Sequence, residues 1–234
     1  MNSLFDAGIS LLETEHKYSL HEDPSIEFRS VTQIVENYFE PFDKASIAQK
    51  LVTTSPKYLG MDPDELIKQW DATAHYGTKV HKEIESYIVE NKTPDDIKAE
   101  KGVQWIKKYL DDPNKEVYPE VIVFNKELKI AGSIDIIIFD KSLNQYEIVD
   151  WKTSKKIDMS SYNNKMGTHQ ITQHLMDCSY VHYSLQLSFY RYIIEEYYNV
   201  NVLSHSIAHL TDQECSIIKG DYYKEEVIKI IANQ

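Results

Sequence analysis

Two aspartates and a lysine stand at the ends of segments that are otherwise apolar, a placement that is costly unless it is used. Asp135 opens onto Ile136, Ile137, Ile138 and Phe139, and Asp150 and Lys152 flank Trp151 at the end of a second apolar segment, Tyr146 to Trp151. Short runs of β-branched and aromatic residues, separated by the turn-forming stretch Asp140 to Asn144, predict a β-hairpin. Side chains alternate faces along a strand, so Asp150 and Lys152 share one face and Trp151 takes the other. Nearby carboxylates repel each other, and burying them without partners costs more still. A divalent cation with oxygen ligands relieves both costs; Mg²⁺ commonly takes few protein carboxylates and completes its shell with water and substrate phosphate. A lysine beside such an ion orients or deprotonates an attacking water and steadies charge on a phosphate in transfer. A solvated strand-end pair, with Asp135 capping a turn, is the plainer reading, and for D-x-K taken alone it is the commoner one.

Residues elsewhere in the chain carry a resemblance. Gly77-Thr78-Lys79-Val80-His81 comes first, then Gly132-Ser133-Ile134-Asp135, then Asp150-Trp151-Lys152, then Gln186-Leu187-Ser188-Phe189-Tyr190. In that order they resemble the PD-(D/E)XK nuclease superfamily, whose second strand supplies an aspartate, third strand D/E-x-K, and following helix Q-x-x-x-Y. The G-x-x-x-H helix is similar to that of the RecB-like branch. Ser30 to Val35, the G-T-K-V-H segment and Asp150 to Lys156 resemble mitochondrial genome maintenance exonuclease and its phage and viral relatives. The resemblance runs from about residue 28 to 210.

The resemblance implies an α/β fold, a restriction-endonuclease-like mixed central sheet flanked by helices, with an N-terminal helical elaboration. It implies phosphodiester hydrolysis with Mg²⁺ or Mn²⁺. Carried onto this chain, Asp135 and Asp150 would hold the metal with His81 as third ligand, Lys152 would serve the water, and Gln186 and Tyr190 would stabilise the site. Glu120 is either a further ligand acting through water or an exposed strand residue. Ser30, Thr32, Lys79, Trp151, Thr153, Ser154 and Lys156 are expected along the nucleic acid. The implied substrate is single-stranded DNA with a free end, digested as by an exonuclease, with replication or recombination proteins as partners. A restriction-type or structure-specific endonuclease, and a non-cutting DNA-binding subunit, are the alternatives. Lys152, as a strand-end amine, is expected to contribute little to the core.

The elements that must position these residues follow from periodicity and capping. Residues 1–28 predict a short helix and then a hairpin, with Tyr18-Ser19-Leu20 and Ile26-Glu27-Phe28 on either side of His21 to Ser25. A helix opens at Ser30-Val31-Thr32, capped by one of the two hydroxyls, and a second runs over Lys44 to Thr53. Asp62-Pro63-Asp64-Glu65 marks another start: Asp at the cap, Pro in the first position, Glu three residues after the cap. Its pattern continues through Trp70 to Tyr87, with a break expected near Gly77. Pro94 to Leu110 predicts a helix and Val117 to Phe124 a strand. After the hairpin, Ser184 to Tyr197 predicts a helix on which Gln186 and Tyr190, four apart, share a face. A strand over 202–210 and a helix over Tyr222 to Ile231 complete the chain. Together these give one domain over 1–234, mainly helical over 1–112, with the catalytic sheet and its helices over 115–234.

Composition bounds the rest. The chain has 234 residues, 42% hydrophobic and 26% charged, with a formal net charge of −12, as for a globular protein with a sizeable core. No apolar run reaches the ~18 residues of a membrane span. The first ten residues lack the basic start and apolar run of a secretory signal. Two cysteines, Cys178 and Cys215, cannot supply the four thiolates of an iron–sulfur cluster, so none is expected, and a reducing intracellular compartment is, a host cell if the source is phage or viral. Phosphate binding rewards cationic surfaces, so an acidic chain should bind bulk duplex modestly. Lys152, Lys155, Lys156 and Lys165, with Lys79 and Lys82 beside His81, supply local positive charge instead.

Overall fold

A computed structural model of the protein describes residues 8–12 and 17–234. In chain order the elements are β1 (Ile9–Leu12), β2 (Lys17–Leu20), β3 (Arg29–Ser30), α1 (Val31–Glu36), α2 (Lys44–Thr54), α3 (Pro63–Glu90) and α4 (Ile97–Leu110). There follow β4 (Lys115–Asn125), β5 (Ile130–Asp140), β6 (Gln145–Lys152), α5 (Ser179–Tyr197), β7 (Val202–Leu210), β8 (Cys215–Lys219) and α6 (Lys224–Ala232). β1 and β2 form a small antiparallel hairpin; the other six strands make one mixed sheet. β5 pairs antiparallel with β4 along its whole length, and on its other edge with β6 over Ile136–Asp140 and with β3 over only Ile130 and Ala131. β6 continues into the sheet through parallel β7, and antiparallel β8 closes the edge.

The predicted hairpin strands read as nearly continuous apolar runs because both faces of the sheet are covered. On one face α1, α5 and α6 pack Ile34, Val35, Leu185, Phe189, Ile193, Val227 and Ile230 against Ile134, Ile137, Ile148 and Ile207. On the other, α3 and α4 pack Val80, Ile84, Val103 and Ile106 against Ile136, Ile138, Val149, Trp151 and Leu210. Gly102 lets α4 lie close on α3, since a Cβ there would come within 2.5 Å of Ile84 Cδ1. α2 and the first turns of α3 have a small core of their own: Ala48, Val52 and Leu66, with Trp70 half-buried beside them. Among the described residues no helix is long and apolar enough to cross a membrane.

One irregularity shapes the functional end of the sheet. Ile134 and Ile136 are two apart, and strict alternation puts such residues on one face, yet they lie in opposite clusters. Their β4 partners do the same: Val121, opposite Ile134, packs with the first cluster, and Val117, opposite Ile138, with the second. Both strands therefore reverse face at one level, occupied by Glu120 and Asp135, and Glu120 takes a left-handed backbone, φ 50°. Local breaks of this kind re-aim side chains beside functional sites.

Several expectations are corrected. α3 runs unbroken for 28 residues, from its Asp62 cap, which accepts from the Asp64 N–H at 2.9 Å. Gly77, about 1 kcal/mol less favourable than alanine inside a helix, is a point of close approach: a Cβ there would stand 3.0 Å from Thr153 Oγ1. Of the expected N-terminal helix, residues 1–7 lie outside the described residues, and Ile9–Leu12 is a strand. That strand, and not Ile26 to Phe28, partners Tyr18–Leu20, although His21 to Ser25 is a turn as expected. β8 was not foreseen, its five residues having too weak an apolar pattern. Finally, Trp151 is 1% exposed and meets Trp105 edge to face at 5.5 Å, so its side chain belongs to the core and not to a nucleic-acid contact. Trp151→Ala should cost about 3–5 kcal/mol in urea unfolding; a surface platform would stay within about 0.5 kcal/mol.

Candidate metal centre

The ladder between β5 and β6 stops at Ile136↔Val149, and beyond it the strands part. The Trp151 N–H, which would otherwise face the gap, donates to Asp135 Oδ2 at 2.6 Å. This bond holds the carboxylate at the level of the face reversal. His81, on α3, brings Nδ1 to 3.5 Å from the same oxygen. Glu120 approaches from β4, its Oε2 accepting from Ser133 Oγ at 3.1 Å. One ligand atom from each of His81, Glu120 and Asp135 lies within 4.8 Å of the other two.

Charges in this group shift one another. Burial works to raise Asp135, but the His81 charge and hydrogen bond, with Lys152 and the Trp151 N–H, outweigh it and hold the carboxyl below its usual range. For His81, burial disfavours the imidazolium, and the Asp135 charge and hydrogen bond more than restore it. Glu120 stands at the rim as an exposed residue, yet its carboxyl faces the crowded cleft. Desolvation, followed by the Asp135 charge, pushes it up to about 7.

Asp150 and Lys152 complete the site from the α5 side. Asp150 is 3% exposed; its Oδ2 has the Lys152 ammonium beside it and no aligned hydrogen-bond donor. Burial raises the Asp150 carboxyl, against the pull of Lys152. For Lys152, burial favours the neutral amine, but the charges of Asp150 and Asp135 prevail and keep it protonated. The expected strand-end amine is thus enclosed and paired. Gln186 Nε2 donates to Tyr190 Oη at 2.9 Å and lies 3.5 Å from Asp150 Oδ1. Tyr190 packs over Gly132, where a Cβ would overlap its ring.

The structure brings together His81, Glu120 and Asp135, with Asp150 and Lys152 adjoining but outside that three-ligand group. Glu120, doubtful from the sequence, is the residue that joins. The residues expected along nucleic acid each have partners within the protein. Ser30 is 2% exposed and accepts from the Gln33 N–H as the cap of α1, so its hydroxyl serves the fold. Thr32 Oγ1 pairs with it at 3.0 Å. Thr153 sits under Gly77, and its carbonyl accepts from Lys98 Nζ at 2.8 Å. Ser154 donates to the Lys156 carbonyl at 3.1 Å. Lys79 and Lys156 reach solvent, paired with Glu83 at 3.4 Å and Asp158 at 2.6 Å. Sequence reasoning missed Ser133, which steadies Glu120, and Tyr183, whose ring lies 4.7 Å from Lys152 Nζ. Tyr183 was legible: with Gln186 and Tyr190 it forms an i, i+3, i+7 stripe.

Carboxylates, one imidazole and a buried carboxylate oxygen lacking an aligned donor fit a hard divalent cation. Such donors lie at the parting ends of a helix-flanked mixed sheet. A family model described as the PD-(D/E)XK nuclease superfamily matches residues 33–226, and the chain belongs to that superfamily. Among solved structures, one described as "Crystal structure of SSO0001" is similar at 12% identity over 88% of this chain and 73% of that one, with a TM-score of 0.42. Comparison with curated proteins gives no match.

Glu120 must lose its proton to bind a cation. Its folded-state pKa is raised, so its charged form is the disfavoured one, and the metal-free protein loses stability as pH rises from the ordinary carboxyl range through about 7. Cation affinity should move the other way, strengthening as pH rises through about 7 while Glu120, and His81 with its own raised pKa, shed their protons. Titration calorimetry with Mn²⁺ across this range should show the rise, and Glu120→Gln should make it shallower by the proton Glu120 no longer releases, leaving the part that His81 contributes.

Proposed function

We propose that the chain is a RecB-like deoxyribonuclease that digests single-stranded DNA from a free end, as the mitochondrial and viral exonucleases it resembles do. The observation that carries this reading is the convergence of His81, Glu120 and Asp135 beside the buried Asp150 and Lys152. Mg²⁺ or Mn²⁺ would be held by His81, Glu120 and Asp135, with Asp150 alongside. When bound, the ion supplies positive charge at the scissile phosphate and lowers the pKa of water.

The chain's own groups account for the rest. Asp135 is fixed by a backbone N–H, so its orientation does not depend on a mobile side chain. Gln186 aligns with Asp150 and is itself held by Tyr190. Lys152 is kept charged by its neighbours, so it acts as a donor that orients water and offsets charge on the phosphate in transfer, not as the base. Lys79 and Lys156, both exposed, would exchange their present carboxylate partners for the DNA backbone.

A labelled linear single strand with Mg²⁺ or Mn²⁺ should yield short products that chelation abolishes, while a closed circular single strand stays intact. Cutting of the circle would replace the exonuclease with an endonuclease; binding without metal-dependent products would leave a DNA-binding subunit. Lys152→Ala should lower kcat by about 10²–10³. Because the change strands a buried Asp150 charge, it should also cost about 3–5 kcal/mol in metal-free buffer, part of it regained with Mn²⁺. Unchanged melting would return Lys152 to the surface role its sequence position suggests.

A further inference from the structure

We propose that Tyr183 is a positioning residue for Lys152: the face of its ring holds the ammonium at the end of β6, one helical turn before Gln186. The proposal rests on the reading of Lys152 given above and concerns what keeps a long, rotatable amine in place.

Lys152 Nζ lies 4.7 Å from the Tyr183 ring centroid, within the range in which a cation is drawn to an aromatic face. Its other close partner is Asp150 Oδ2. A single ion pair leaves a four-carbon stem several ways to reach the same oxygen; a ring face on a second side removes most of them. The ring itself is constrained. It is half-buried against the core cluster that α5 shares with the sheet. Tyr183, Gln186 and Tyr190 fall on one face of α5 and address Lys152, Asp150 and Gly132 in turn. One helix face thus supports each part of the splayed strand ends. The π face is what matters here, so phenylalanine should serve and an aliphatic residue should not.

Kinetics on linear single-stranded DNA with Mn²⁺ test this. Tyr183→Leu should lower kcat about tenfold, the rate equivalent of a desolvated cation–π contact, with KM within about twofold. Tyr183→Phe should stay within about threefold of the wild type. In metal-free buffer, Tyr183→Leu should lower the melting temperature less in a Lys152→Met background than in the wild type, a coupling that general loss of packing would not give. Should the leucine variant not fold, Tyr183→Met fills similar space without a π face. A leucine variant with wild-type kcat, a rise in KM alone, or additive melting shifts would each overturn the proposal. If the wild type does not cleave DNA, the functional reading fails, and the melting cycle alone decides the Tyr183–Lys152 pairing.

Discussion

The site depends on one bond where two strands part: the Trp151 N–H donating to Asp135. A strand leaving its neighbour exposes backbone donors, and a buried donor without an acceptor costs as much as a lost hydrogen bond. Here the acceptor is a carboxylate, so the ladder's last bond and the placement of a candidate metal ligand are the same interaction. The reversal of face at Glu120 and Asp135 makes this feasible. With strict alternation each side chain at this level would be committed to one apolar layer. At the reversal Asp135 turns towards β6 and meets the Trp151 N–H, and His81 reaches it from one layer while Gln186 and Lys152 approach Asp150 from the other.

Electrostatics then constrain composition. Three carboxylates at the end of an apolar sheet would repel one another, and the chain offsets them in two ways. Lys152 and His81 supply permanent or inducible positive charge, which keeps Asp135 ionised despite burial. Glu120 absorbs the remaining strain by holding its proton near neutrality. In a chain of net charge −12, this local balance keeps the end of the sheet from carrying the full negative charge of its carboxylates. Charges on the acidic exterior are screened by water and salt beyond about a Debye length, whereas the buried groups of the site, in a lower dielectric, act strongly on one another.

Much of this was legible in the sequence, and the omissions have physical causes. The Ile136 to Phe139 run, the turn and Tyr146 to Trp151 announced the central strands because burial on both faces leaves a near-continuous apolar signal. Asp62-Pro63 announced α3 because capping chemistry is local. Gly77 misled because a glycine needed for tertiary contact, here with Thr153, looks the same as one that ends a helix. Alternation correctly separated Trp151 from Asp150 and Lys152, but gave no sign of which face was dry, so a core tryptophan was placed with the nucleic acid. Glu120 stayed doubtful because its direction is set by a left-handed backbone that no periodicity encodes.

The continuity of α3 has a mechanical consequence. Its second half is seated on the sheet through Val80 and Ile84, on either side of His81, while its first turns pack with α2 and the segments that flank it. At 1.5 Å per residue the far end lies roughly 25 Å from that seat, so a tilt of about 5° swings it by about 2 Å. The imidazole, next to the pivot, moves by a small fraction of that distance. The distal helices can therefore yield to whatever presses on them while the ion-binding geometry stays still.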